Sequence, residues 1–318
     1  MIRTVLGEIP EDKLGPALAH EHLYCNIARH SGNLDNAMTD WELIVRELGS
    51  FTAAGGRGIL EVTPVDLDGD AEALRRISEA SGVHIVRGIA FYQEDSYPGW
   101  LHTATVDEIE DFFVREIEEG GTGIPAGFIG EIGSHNRPEP DFLGYRLAEG
   151  ETRVFQAAAG AQKRTGALIS THACLGRAGH AQLNVLEAAG ADLSRVVIGH
   201  CDAHYHDDEE RDLEYYLPIL DRGAYVEFDL IGWIDEWPGC PTDEIRALRL
   251  ASLVRLGYQD QLLVATDTCR LSHLRANGGR GYDYFWSDFL PRLRRAGVGQ
   301  GAVDAILIRN PGRAANIS

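Results

Sequence analysis

The sequence predicts an α/β protein of the (β/α)8 TIM barrel class. Eight short apolar runs alternate with helix-period segments, and their 318-residue span suits a fold that typically needs ~250 residues or more. No linker or low-complexity stretch divides them, so residues 1–318 read as a single barrel domain. No G-x-G-x-x-G follows an early strand, which argues against an open dinucleotide-binding sheet.

In chain order the β-type runs are "PALAH" (16–20), "GILEVTP" (58–64), "HIVRGIAFY" (84–92), "AGFIGEIG" (126–133), "ALISTH" (167–172), "RVVIGHCD" (195–202), "GAYVEFDL" (223–230) and "QLLVATD" (261–267). Between them lie amphipathic stretches such as "TDWELIVRELGSFTAAG", "DEIEDFFVREIEEG", "ETRVFQAAAGAQKRTG", "LEYYLPILDRG" and "TDEIRALRLASLVRLG". Several end in Gly, where a helix C-cap is expected. The last 38 residues, from "GYDYF" onward, read as the closing helices of the barrel.

With 29 basic against 49 acidic residues, the formal charge is −20. Nucleic acid and anionic membranes call for clustered Lys and Arg, so neither is an expected partner. No run approaches the ~20 apolar residues of a membrane helix, and the N-terminal stretch lacks an apolar leader. A soluble cytoplasmic protein acting on a small molecule is expected. Five cysteines without C-x-x-C spacing read as free thiols, and Cys25, Cys174, Cys201 and Cys269 as packing residues.

In a barrel, chemistry collects at the C-terminal ends of the strands. There the first run ends in His20 and His22, the fourth in Glu131, the fifth in His172, the sixth in His200 and the eighth in Asp267. All are metal-ligand types. Four imidazoles and two carboxylates are too many for one tetrahedral zinc but suit two divalent cations. Zinc is the expected metal, and manganese, cobalt or iron would accept the same donors.

These residues carry a resemblance. From "LAHEHLYCN" through "GFIGEIG", "ISTHACLGRAG", "LSRVVIGHCD" and "ATDTCRLSHLRANGGRGYDYF" to "RNPGR", the chain resembles the phosphotriesterase family of the amidohydrolase superfamily. Within that family it is similar to the branch of phosphotriesterase homology proteins and phosphotriesterase-like lactonases. The resemblance implies His20, His22 and Asp267 on a more buried metal and His172 and His200 on a more exposed one. It also implies Glu131 between them, Asp267 as general base toward a bridging hydroxide, and a homodimer.

Two departures from the family pattern are informative. Many members carry a carboxylated lysine where this chain has Glu131. A glutamate is shorter, so the fourth strand should sit closer to the metals or be shifted in register. Where phosphotriesterases have a further acid and a further histidine, this chain has Ala203 and Leu230, which leaves phosphotriester hydrolysis as at most a weak side activity.

The loops give the substrate. Arg270, His273 and Arg275 follow the eighth strand and Arg177 the fifth; arginines at a pocket mouth can clamp an anion. "ANGG" offers a turn that would fold the last of these loops over the site. Tyr92 resembles the tyrosine that family lactonases aim at their substrate. Trp233 and Trp237 read as packing residues that could wall an apolar pocket, and His204 and His206 as solvated. The expected function is lactone hydrolysis, with sugar or phosphorylated sugar lactones the sharper expectation. Hydrolysis of N-acyl amino acids is the alternative within enzymes, and a metal-binding regulatory barrel the alternative outside them. Because glutamate brings its own carboxylate, metal reconstitution should need no bicarbonate; activity of the apo-protein recovered with metal alone, measured with and without added bicarbonate, checks this.

Overall fold

The computed structural model describes residues 1–317 apart from Asn136, residues 139–144 and 174–176, His204 and Asp207, and without the side chains of Arg137 and Pro138. Cys174 and His204, two of the sequence expectations, therefore lie outside the described residues. Eight strands form a single parallel sheet in sequential order: β1 (Ala17–Glu21), β2 (Gly58–Glu61), β3 (His84–Ile89), β4 (Phe128–Ser134), β5 (Ile169–Ala173), β6 (Val196–Ile198), β7 (Tyr225–Phe228) and β8 (Leu262–Val264). Each falls inside, or within two residues of, its apolar run. Glu21, at the end of β1, accepts the backbone N–H groups of Thr266 and Thr268 beyond β8 at 2.6 and 2.8 Å, joining the first strand to the last.

Among the described residues, seven helices of ten residues or more fill the crossovers: α1 (Trp41–Ala54), α2 (Ala71–Ser81), α3 (Val106–Glu118), α4 (Glu149–Thr165), α5 (Gly179–Ala188), α6 (Glu209–Asp221) and α7 (Asp243–Arg255). Their ends follow local chemistry. Asp40 caps α1 by accepting from Glu42 and Leu43, and Gly55 closes it with a φ of 111°. Thr105 and Glu108 cap α3 reciprocally. α1 buries Ile44, Leu48 and Phe51, spaced three and four residues apart as an apolar stripe requires. The C-terminal segment is helical as expected, although two π-helical stretches, Phe285–Phe289 and Ala305–Arg309, interrupt it. Among the described residues no helix is long and apolar enough to cross a membrane.

The core has two layers. Inside the barrel, Ala17, Leu60, Val86, Phe128, Leu168, Val197, Tyr225 and Leu263 pack together, closed at the N-terminal end by Ile2, Ala314 and Ala315. Their sequence neighbours Leu18, Ile59, Ile85, Ile129, Ile169, Ile198, Val226 and Leu262 face outward beneath the helices, so both faces of every strand are apolar.

The donors stand one layer above this core, and two register shifts set them there. Between Leu18 and Glu21 the β1–β2 pairing slips, so that His20 and His22 take the inward side that Ala17 and Ala19 occupy below. Between Ile129 and Ile132 of β4 an extra residue is accommodated against β5. That bulge contains Glu131 and turns its side chain toward the imidazoles. It requires close backbone approach: a Cβ at Gly88 of β3 would lie 2.2 Å from the Gly130 carbonyl oxygen. Gly88→Ala should accordingly cost ~1–3 kcal/mol through overpacking, read as a lower unfolding midpoint in urea with an unchanged m-value.

Candidate metal centre

The structure brings all six predicted donors to one point. Two trios converge: His20, His22 and Asp267, and Glu131, His172 and His200, with ligand atoms in each trio within 4.8 Å of one another. Glu131 belongs to both neighbourhoods. Its Oε2 lies 3.1 Å from His20 Nε2 and 2.8 Å from His172 Nδ1, while its Oε1 lies 3.4 Å from His22 Nε2. Asp267 Oδ1 is 3.4 Å from the same His22 nitrogen. His200 and Asp267 are held with φ of 53° and 43°, an unusual conformation for residues other than glycine and one that re-aims a side chain at a strand end.

A set of groups one step removed fixes the imidazoles. His20 Nδ1–H donates to Glu227 at 3.2 Å, His22 Nδ1–H to Thr63 Oγ1 at 2.8 Å and His200 Nδ1–H to Asp229 Oδ1 at 2.8 Å. Thr63 passes its own proton to Glu61. In each ring the lone pair is thereby left on Nε2, turned into the cluster, as metal-bound histidines require. Two observations show that the donors fit cations. His20 Nε2 is fully buried and faces Glu131 Oε2 at 3.1 Å without the geometry of a hydrogen bond, and His200 Nε2 lies only 2.7 Å from His172 Nδ1. Two facing ring nitrogens need a positive centre between or beside them.

Without a cation, protons take that role. Burial works against charge on His20, but Asp229 and Glu131 outweigh it and raise the ring well above the usual histidine range. Burial likewise opposes charge on His22, whose hydrogen bonds to Asp267 and Glu131 nevertheless push it up to about 9. Glu131 behaves inversely: burial would raise it, but His172 and His20 hold it well below the usual carboxylate range.

Above the donors opens a cavity of about 350 Å³. Tyr92, Trp233, Trp237, Leu230 and Ile27 form its apolar wall, and Arg270 and Glu236 stand at its edge. Tyr92 packs on the His172 ring at 4.6 Å between centroids. Arg270 stacks over Trp233 at 4.6 Å and pairs with Glu236 at 3.0 Å. Trp233 and Trp237 do pack, as expected, and in doing so they wall the pocket with Leu230 and Cys269, with Ala203 packed behind.

The remaining substrate residues are placed otherwise than the sequence led us to expect. Arg275 engages Asp283 through two contacts of 2.6 Å, with its side chain 45% exposed and away from the cavity. Arg177 is buried against Asp212, at 3.5 Å, and over the ring of Tyr215. His273 packs edge-on against Trp233 and lines a neighbouring cavity instead. The "ANGG" turn forms with Gly278 at a φ of 86°, but Glu47 of α1 accepts the N–H groups of Arg275 and Ala276 and draws the loop outward. Nor is His206 solvated: Asp212 accepts both its backbone N–H and its ring at 2.8 and 3.0 Å. Carboxylates are committed partners here, which a linear reading of arginine positions does not register.

Sequence reasoning also missed Glu21, Glu61, Glu227 and Asp229. Asp229 could have been found, because it ends the seventh run at the same mouth as the donors.

An eight-stranded barrel with shared carboxylate and imidazole clusters at its mouth defines a binuclear metal centre of hydrolytic type. The phosphotriesterase family matches residues 1–315. The chain is 36% identical over 302 residues to the phosphotriesterase homology protein of Escherichia coli, covering 94% of this chain and 97% of that protein. The crystal structure of that protein, with phosphate in its active site, superposes with a TM-score of 0.86 at 35% identity, covering 96% of this chain and all of the other (100%). Human N-acetyltaurine hydrolase is 31% identical over 352 residues, covering 98% of this chain and 96% of that one. A lactonase of Listeria monocytogenes superposes with a TM-score of 0.87 at 25% identity, covering 100% of this chain and 99% of its own. The chain belongs to the phosphotriesterase family and is a metal-dependent hydrolase.

Because protons and cations compete for the same nitrogens, apparent metal affinity should rise with pH. Below about 9 the His22 ring holds a proton that binding must displace, so affinity should fall by up to about tenfold per pH unit for each proton released. Calorimetric titration in two buffers of different ionisation enthalpy reads the protons directly, and Glu131, already ionised, should contribute none.

Proposed function

We propose that the protein hydrolyses carboxyl esters, with lactones as its principal substrates. The observation that carries this reading is the apolar wall of Leu230, Trp233, Trp237 and Cys269 beside the donors. Leu230 and the Ala203 packed behind it stand where phosphotriesterases have a further histidine and acid, and the wall offers an acyl chain or lactone ring a dry surface. A phosphorylated sugar lactone loses its basis, since Arg177 and Arg275 are committed to Asp212 and Asp283. Among the described residues, Arg270 is the arginine that lines the cavity, and it is already shared with Glu236. We therefore propose an uncharged or weakly charged lactone with an apolar substituent.

In this reading His20, His22 and Asp267 would hold one cation and His172 and His200 another, with Glu131 shared between them. Two divalent cations bound there would supply a more acidic water and an electrophile for the carbonyl. The protein supplies the rest. Asp267 takes the proton of the attacking water and returns it to the leaving oxygen as the acyl C–O bond breaks. Its aim is fixed from both sides, because Glu21 grips the N–H groups of Thr266 and Thr268 at 2.6 and 2.8 Å. Tyr92, over His172, orients the ring of the substrate, and Trp233 and Trp237 exclude bulk water from it.

Hydrolysis of N-acyl amides is a second reading, supported by N-acetyltaurine hydrolases of about the same length: the human one is 31% identical over nearly the whole chain. The same donors serve both reactions; an amide needs more help at its leaving nitrogen. A panel of γ- and δ-lactones, N-acyl amino acids and a phosphotriester, assayed with metal-loaded protein, decides between them. We expect lactones to give the highest kcat/KM, and Asp267→Asn to lower kcat by about 100-fold or more. Faster amide turnover would transfer the assignment to the second reading, and metal-free protein with full turnover would end both.

A further inference from the structure

We propose that Arg246 is a positioning residue that holds His200 and the Trp233 wall of the cavity in fixed relation to each other. It sits in the first turn of α7, 46 residues from His200, and its side chain is only 1% exposed. In "TDEIRALRL" it reads as an ordinary helix charge. Its guanidinium instead points inward, behind the metal centre.

Two arms leave it. Along the first, Arg246 Nε donates to Asp202 Oδ2 at 2.7 Å. Asp202 in turn accepts the backbone N–H groups of Asp229 and Leu230, each at 3.2 Å. Asp229 then accepts both the backbone N–H and the Nδ1–H of His200 at 2.8 Å. Along the second arm, Arg246 Nη1 donates to the carbonyls of Trp233 and Pro241 at 2.7 and 2.8 Å and to Asp243 at 3.1 Å. One rigid planar group thus ends on an imidazole of the centre and on the backbone of the tryptophan that walls the pocket. A guanidinium can do this because its donors diverge in one plane at fixed angles; an ammonium cannot reach all of these acceptors at once. Asp202 and Asp243 offset the buried charge.

The inference rests on the reading that the six donors hold two cations, so its test begins with metal and not turnover. Full-length protein stripped of metal is titrated with Co2+, following visible absorption and tryptophan emission, with circular dichroism and thermal melting as folding controls. Wild type should take up two ions. Arg246→Lys keeps the charge but loses the fork, and should weaken the second ion about tenfold or more, the cost typical of groups that orient a ligand. The first ion should be weakened much less, because His20 has Glu227 as its Nδ1 partner at 3.2 Å beside a longer 3.4 Å contact to Asp229, and tryptophan emission should shift to the red. Asp202→Asn should weaken the second ion with a smaller emission shift, because it cuts only the first arm. If both variants melt like wild type and bind both ions with wild-type affinity, the proposal is overturned. Equal weakening of both ions together with a large loss of melting temperature also overturns it, since that marks general loosening. A wild-type protein that binds fewer than two Co2+ removes the two-cation reading itself, and this inference with it.

Discussion

The mouth of this barrel is organised by buried negative charge that must be compensated. Glu21, Glu61, Glu131, Asp202, Glu227, Asp229 and Asp267 are all withdrawn from solvent at one end of the strands. Isolated, each would be prohibitively expensive there. Burial, joined by repulsion from neighbouring carboxylates and only partly opposed by hydrogen bonds or a nearby cation, pushes Glu21 and Asp202 up to about 7 and Glu227 to about 8. Arg246 meets part of the demand and the imidazoles another part. Divalent cations complete the compensation most economically, because one ion serves several carboxylates at once.

From this constraint the division of labour follows. The carboxylates nearest the centre face it, and those behind them fix the tautomers of His20 and His200 through Nδ1. A deep layer of Leu, Val and Phe keeps the strands in place beneath, unconcerned with chemistry. The loops above carry Trp233, Trp237 and Arg270, which line the cavity over the donors. Likeness to a lactonase and to amide hydrolases at similar coverage is what such a construction produces, since the shared layer does not discriminate between carbonyls.

Much of this was legible from residues. The eight runs located the strands because each is apolar on both faces, a pattern that a parallel barrel imposes and few other folds tolerate. His20, His22, Glu131, His172, His200 and Asp267 were legible because strand ends in a barrel converge. The arginines misled. Arg177 and Arg275 look like anion clamps in a linear chain, but whether a guanidinium is available depends on which carboxylate folds beside it, and Asp212 and Asp283 become neighbours only in three dimensions. Arg246 escaped notice for the same reason, since it sits among helix charges, whereas Asp229 stood in plain view near the end of the seventh run.

The slipped register of β4 has a wider meaning. The layer of packing residues below Glu131 keeps its alternation while the donor layer above is offset by one residue. Glu131 thus reaches the mouth through a change of backbone register and not through a longer side chain. Since the core beneath keeps its packing, the donor layer and the stability of the barrel can vary separately at this one strand.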